Sequence, residues 1–431
     1  MVRTSIIYII FIIAYFGNSL VGYKIAPPQL IWSLEILIYF LFLYALMTTQ
    51  QKVVFPFVAF ILFFILIAIF SMLVNHSFSF EPIYGLRLLI RFYLFFLALI
   101  NLDLTDQEIK KINKFIFIIF IIQIPVATLK LFIYGFGERA IGTYSLTEGS
   151  LSTVIPLIAI GYLISYYFYY KRTYWFLLIS FGFLYFSIIA KKRALVFMLP
   201  ILILMQIIAI LKEKNIDFNL KKIIRHRAFT VAPFIIIIVI YFSIRLVPAL
   251  NPEKKIGGSF NPVYTLNVFE EYFTRKPDDF GYTTSRFSTT KRVFSVLYEQ
   301  GFSRIFFGYG PGSYTESRFL EKEEKRSVYK DMRINYGLTP LSYIAIEYGI
   351  LGIIPFFALI CSFFVRSVKF WKVADSGYWK AYSLGSMGFA FSMILLWASY
   401  HIPSFTGDPI PCLYFYAMAV VSIKFRQYKF S

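Results

Sequence analysis

Residues 53–74 read VVFPFVAFILFFILIAIFSMLV. No charged side chain interrupts the run, and about 20 apolar residues are enough for a helix to cross the hydrocarbon of a bilayer. Similar runs extend in both directions, at 5–22, 29–47, 83–100, 113–134, 151–169, 173–190, 194–211, 229–247, 340–365, 380–400 and 410–425. A soluble chain of 431 residues could bury a large core, but not this many stretches of spanning length. Composition agrees: 58% of residues are hydrophobic, 21% aromatic and 15% charged, where soluble domains carry roughly 25% charged residues. The fold class is therefore all-α, a polytopic membrane protein of about twelve transmembrane helices. Two features blur the pattern, the Gly17-Asn18 break in the first run and the tight spacing of the pair within 173–211. The first run is read as a span and not as a cleaved signal, because another span follows at once and no small-residue cleavage site is present. No repeat, low-complexity linker or soluble terminal domain is visible. Residues 1–431 form one membrane domain, which contains a large hydrophilic loop at 248–339 between the ninth and tenth runs. Cys361 and Cys412 both lie in apolar runs, so no disulfide framework is expected.

The net charge of +20 is mostly a topology signal. With the N-terminus in the cytoplasm, the cytoplasmic segments hold 20 Lys and Arg, and the short outer loops hold five, as the positive-inside rule expects. Both termini are then cytoplasmic and the loop 248–339 faces away. That loop has 14 basic and 11 acidic residues, and long loops follow the charge rule poorly. The basic residues are spread over separate turns, which argues against a nucleic-acid partner.

Some cations do not fit this pattern. Lys191, Lys192 and Arg193 form a tight turn that alternation places on the outer side. Either one span is miscounted and the turn is cytoplasmic, or these residues form a fixed cationic pocket for a phosphate-bearing ligand. Arg87 and Arg91 lie within the fourth run, four apart and so on one helix face. Arg87 is near the outer end and can snorkel. Arg91 is about 12 Å into the helix at 1.5 Å per residue, where an ionisable side chain is costly and points to function by default. Glu35, in the second run near the same side, is a possible partner. A ligand site and a buried ion pair between helices are both open. Arg245, closing the ninth run, reads as an interface anchor.

Within the long loop, Thr284 or Ser285 can cap a helix running to Gln300, with Gly301 ending it. Phe287, Phe294, Leu297 and Tyr298 fall close to one face of that helix, which suggests that it lies on the membrane surface or on the other spans. Then comes Phe306-Phe307-Gly308-Tyr309-Gly310-Pro311-Gly312-Ser313. A glycine-rich turn lets backbone amides approach an anion, although most such runs are simply turns. It is not a P-loop, because the Gly-Lys-Ser/Thr ending is missing. His76, His226 and His401 are scattered and make no zinc spacing. Asp278-Asp279 is the nearest thing to a divalent-metal motif and reads as a solvated turn. No Gly-x-Ser-x-Gly elbow is present. No metal or other cofactor is expected, so cationic side chains would have to stabilise any phosphate.

The arrangement resembles the O-antigen polymerase and O-antigen ligase superfamily, whose members act on polyprenyl-diphosphate-linked sugars at the outer face of the bacterial inner membrane. Three segments carry the likeness. The first is Ala190-Lys191-Lys192-Arg193-Ala194-Leu195. The second is Ser285-Arg286-Phe287, followed about twenty residues later by Phe307 to Ser313. The third is Leu341-Ser342-Tyr343 to Glu347-Tyr348-Gly349-Ile350-Leu351-Gly352. Together they cover roughly residues 140 to 360. Each motif is loose, and their order and membrane side give the match its weight. One departure matters. The ligases carry a His-Asn pair just before the last motif, where this chain has Leu338-Thr339-Pro340. That favours polymerase over ligase.

What the resemblance implies is glycosyl transfer between saccharides linked to polyprenyl diphosphate, in a multi-pass protein of a bacterial inner membrane with a periplasmic loop. Its partners would be the lipid-linked oligosaccharide, membrane lipid, and a chain-length regulator and flippase. Arg193 and Arg286 would stabilise the leaving diphosphate, with Lys191 and Lys192 in support. Arg87 and Arg91 would hold a second phosphate or orient the lipid, and Tyr309 and Gly310 would contact substrate. Glu148, Glu347 and His401 are the candidates for the base. The rival readings are an O-antigen ligase, a flippase or transporter for lipid-linked sugars, and a membrane scaffold.

Overall fold

The computed structural model describes residues 2–49, 52–75, 80–137, 139–144, 149–170, 173–192, 194–213, 237, 240–274, 285–313, 332–334, 338–400 and 408–430. Among them the chain is all-helical, with no strand. Eight helices come first: α1 Val2–Gly22, α2 Gln29–Thr48, α3 Val58–Val74, α4 Phe80–Asn101, α5 Asp106–Tyr134, α6 Leu151–Tyr169, α7 Tyr174–Ile189 and α8 Ala194–Glu213. Shorter helices follow, α9 Pro262–Thr274, α10 Arg286–Glu299 and α11 Phe302–Phe307. Three long ones close the chain, α12 Pro340–Val373, α13 Gly377–Ser399 and α14 Pro409–Phe430. Residues 240–246 are helical as well, and most of the ninth apolar run lies outside the described residues.

Seven of these helices, α1, α2, α5, α6, α8, α12 and α13, are long and apolar enough to cross a membrane. The chain is thus a polytopic membrane-embedded protein. Exposure gives the physical reason. Leu62, Leu66, Phe70 and Leu73 make a stripe along α3 and are 47–54% exposed. Such a stripe is costly in water and costs nothing against lipid tails, which are as apolar as leucine. By contrast α6 and α13 are buried along most of their length and pack on each other at the centre of the bundle.

Local chemistry sets the helix ends. The run at 53–74 becomes helical only from Val58. Phe57 takes left-handed backbone (φ 62°), and the extended backbone of Val54 is paired on both sides by the Asn101 amide, at 3.0 and 3.1 Å. α5 begins seven residues before its apolar run because Thr105 and Glu108 form a capping box, which satisfies two otherwise orphaned N–H groups. Ser285 and Ser288 cap α10 in the same way. The buried side of α10 is Thr289, Val293, Val296 and Leu297, set on Ala345 and Ile346 of α12. Phe287 and Tyr298 point away, 61% and 75% exposed. Compact side chains let α10 approach α12 closely, Phe294 packs half-buried at the edge of this contact, and Phe287 and Tyr298 are left outside.

Polar contacts sort the helix ends into two groups. In one, Arg3 of α1 donates to Glu108 of α5 at 2.8–2.9 Å, Lys424 of α14 meets Asp106 of α5, and Lys380 of α13 meets Glu213 of α8 at 2.5 Å. Tyr169 of α6 also donates to Glu213. In the other, α2, α4 and the start of α14 share a charge cluster, and α10 meets the end of α13 and the start of α6. α5 and α6 therefore run in opposite directions, as do α13 and α14.

Candidate functional site

The site is built where α3, α10, α11 and α12 meet. Within α12 the residue Gly349 takes φ 65° and ψ −166°, which breaks the helix and frees carbonyls that would otherwise bond within it. The glycine turn after α11 supplies the missing donors. Tyr309 N–H donates to the Ile346 carbonyl at 2.7 Å, and Gly310 N–H to the Glu347 carbonyl at 3.2 Å. Ser71 of α3 donates to the Phe307 carbonyl at 2.5 Å, and Asn75 to the Gly308 carbonyl at 3.2 Å. Asn75 in turn accepts from Arg304, whose guanidinium lies 4.7 Å over the Tyr309 ring. The Tyr309 hydroxyl donates to Gln300 at 2.7 Å. Two segments singled out in the sequence, Phe307–Ser313 and Glu347–Gly349, are thus one backbone-to-backbone joint. The amides of Tyr309 and Gly310 donate within it. Glu347 is fully buried beside the joint.

Arg286 opens α10 and is 8% exposed. Its guanidinium stacks 4.6 Å over the Tyr400 ring and donates to the Ser399 carbonyl at 3.4 Å. Tyr400 donates to Thr153 of α6 at 2.7 Å, so three elements hold this cation. One turn on, Thr290 sits 2.8 Å from Ser342, and Thr339 caps α12 through Ser342 N–H. These hydroxyls lay the start of α10 along the first turn of α12, which carries Glu347 less than two turns further on.

Arg87 and Arg91 sit on one face of α4, as their spacing requires. Arg91 donates to Glu35 of α2 at 2.8 Å and to Asp408 before α14. Arg87 lies 3.2 Å from the other Glu35 oxygen. Two cations and two carboxylates balance, and Arg91 is only 3% exposed, the pairing a buried charge requires. Asp408 was not identified from sequence, nor were the roles of Ser71, Asn75, Arg304 and Tyr400. Polar residues in helix ends and short turns give no periodic signal.

The turn after α7 is tied to its own helix, with Lys191 N–H donating to Ile188 and Lys192 N–H to Ser187, at 2.9 and 3.1 Å. Lys191 is exposed with left-handed backbone (φ 55°), which reverses the chain into α8, and Lys192 is half-buried. Arg193, Glu148, His401, Thr284 and Asp278-Asp279 lie outside the described residues. Among the described residues no group of three or more His, Cys, Asp or Glu side chains gathers as a metal site would need. No protein-family model matches the chain, and no curated protein sequence does.

Proposed function

We propose that the chain is a polysaccharide polymerase of about twelve spans, joining polyprenyl-diphosphate-linked oligosaccharide repeat units at the outer face of a bacterial inner membrane. The observation that carries this reading is the joint between the glycine turn and the break at Gly349, with the buried cation Arg286 at the start of the adjoining α10. Two of the three segments that resemble the superfamily meet there, far apart in sequence. In the reaction the acceptor hydroxyl attacks the anomeric carbon of the donor glycan and gives up its proton to a base, which we assign to Glu347. The bond from that carbon to the diphosphate oxygen breaks, and polyprenyl diphosphate leaves with the electron pair. Negative charge grows on the leaving group, and preplaced cations stabilise it without reorganising. Arg286 and Arg193 take that role, with Lys191 and Lys192 nearby in sequence to Arg193.

Purified protein supplied only with lipid-linked repeat units should produce a ladder of longer products. Arg286→Ala should abolish the ladder while the protein still accumulates, and Arg286→Lys should restore it only in part, because the planar fork is lost. Transfer that requires a lipid A-core acceptor, with no ladder in its absence, would replace the polymerase with a ligase.

A further inference from the structure

A cavity of about 360 Å³ opens between α5, α6, α7, α13 and α14. It lies at the end of the bundle where Arg3, Glu108 and Lys424 meet, opposite to Arg286 and the glycine joint. Six tyrosines line it, Tyr162, Tyr166, Tyr170, Tyr378, Tyr382 and Tyr416. Their hydroxyls are largely turned to one another and to the helices. Tyr162 bonds Ser386 at 2.8 Å, Tyr378 accepts from Asn113 at 3.0 Å, and Tyr416 donates to the same amide at 2.8 Å. With the hydroxyls engaged, the rings offer apolar faces and the cavity walls suit hydrocarbon. The volume falls within the range of about 300–1,000 Å³ typical of small-ligand sites.

The mouth is cationic. Lys110 and Lys114 line the cavity, are exposed and stand four apart on one face of α5. Lys110 lies 5.1 Å over the Tyr378 ring. Three acids of this end are engaged by other cations, Asp106 by Lys424, Glu108 by Arg3 and Glu213 by Lys380, while Asp103 and Asp375 are exposed. Among the described residues no carboxylate pairs with Lys110 or Lys114. An apolar, ring-walled pocket with two such cations at its rim, in a protein embedded in a bilayer, fits a lipid with an anionic head.

We infer that this cavity holds an anionic phospholipid of the adjacent leaflet, with one acyl chain between the tyrosines and the phosphate on Lys110 and Lys114. The inference does not depend on the polymerase reading. A tail gains little by leaving other tails for this cavity, so the head sets the preference. A lysine near an anionic membrane surface is worth about 1 kcal/mol, about fivefold in affinity, or about 25-fold for the pair.

The test is native mass spectrometry of the full-length protein titrated with dioleoylphosphatidylglycerol, dioleoylphosphatidylcholine or glycerol 3-phosphate. One phosphatidylglycerol should be retained with about 25-fold preference over phosphatidylcholine. The exposed double variant Lys110→Gln/Lys114→Gln should lose that preference, and Lys111→Gln, which removes a single neighbouring charge from another face, should keep most of it. Equal retention of both lipids, or an unchanged preference in the double variant, overturns the proposal. So does an equal loss in Lys111→Gln, which would mean diffuse surface charge. Glycerol 3-phosphate displacing the lipid at equal concentration would make this a free-anion site and overturn it too.

Discussion

Arg91 is almost wholly buried, and its two carboxylate partners make the interior of α4 a charge network. Removing one partner from such a network strands a charge and costs about 3–5 kcal/mol. Glu35→Gln is therefore expected to lower the melting temperature sharply and to reduce accumulation, because Glu35 serves both arginines. Asp408→Asn should do so less, since Arg91 keeps Glu35. A phosphate-binding role for the two arginines forecasts the opposite: removing Glu35 would release cations, leave the fold intact and tighten anion binding. Thermal melts of both variants beside the parent protein decide between the two. An unshifted Glu35→Gln melt would end the ion-network account. Glu35 was legible in the sequence because an acid inside an apolar run stands out. Asp408 was not, because it lies in a polar turn where acids are common. Its approach to Arg91 depends on how α14 packs on α4, which no local pattern encodes.

At the scale of elements, the joint between the glycine turn and α12 depends on two backbones touching. A Cβ on Gly308 would stand 2.4 Å from the Ile346 carbonyl oxygen, and the residue sits at φ 67°. Gly257 also has positive φ (80°), yet nothing lies within 4 Å of its Cβ position. Left-handed backbone costs a residue with a Cβ about 1–2 kcal/mol, and Gly257→Ala should show that alone. Gly308→Ala adds a collision with main chain that no side chain can relieve, so its melt should fall well below that of Gly257→Ala. Equal melts would mean that the contact yields freely and that the joint is not rigid. The glycine run was legible as a turn whose amides could meet an anion. The structure gives those of Tyr309 and Gly310 carbonyls instead, because Gly349 breaks α12 opposite them. That pairing links residues almost forty positions apart, and neither motif alone announces the other. α10 divides the same way. Its cap and its stop at Gly301 were local and legible, whereas its buried face was set by the α12 surface it meets.

For the whole molecule, the contacts reduce topology to a single choice. Arg3, Asp106, Glu108, Glu213, Lys380 and Lys424 belong to one end through their mutual pairings. Glu35, Arg91, Asp408, Arg286 and the Gly349 joint are carried by the opposite ends of their helices. Fixing the side of one end therefore fixes the other. The charge balance read from the sequence, 20 basic residues against five in short loops, leads us to expect the Arg3 end in the cytoplasm. A reporter active only outside the cytoplasm, fused near Ser259, should be active, and the same reporter at Ser431 should be silent. Ser259 lies shortly before α9, in a segment where Arg245 holds the Gly258 carbonyl at 3.1 Å. The fusion there reports on a chain already anchored to the end of the ninth apolar run. Cysteine labelling at position 192 then checks the Lys191–Arg193 turn separately, where sequence alternation and the charge rule disagree. An active reporter at Ser259 with a labelled position 192 places Arg286, the glycine joint and this basic turn on one face, as polymerisation outside the cytoplasm requires. A cytoplasmic signal at Ser259 would carry Arg286 and the joint inward with it, because contacts bind them to the same helix ends. It would end the polymerase proposal while leaving the fold untouched.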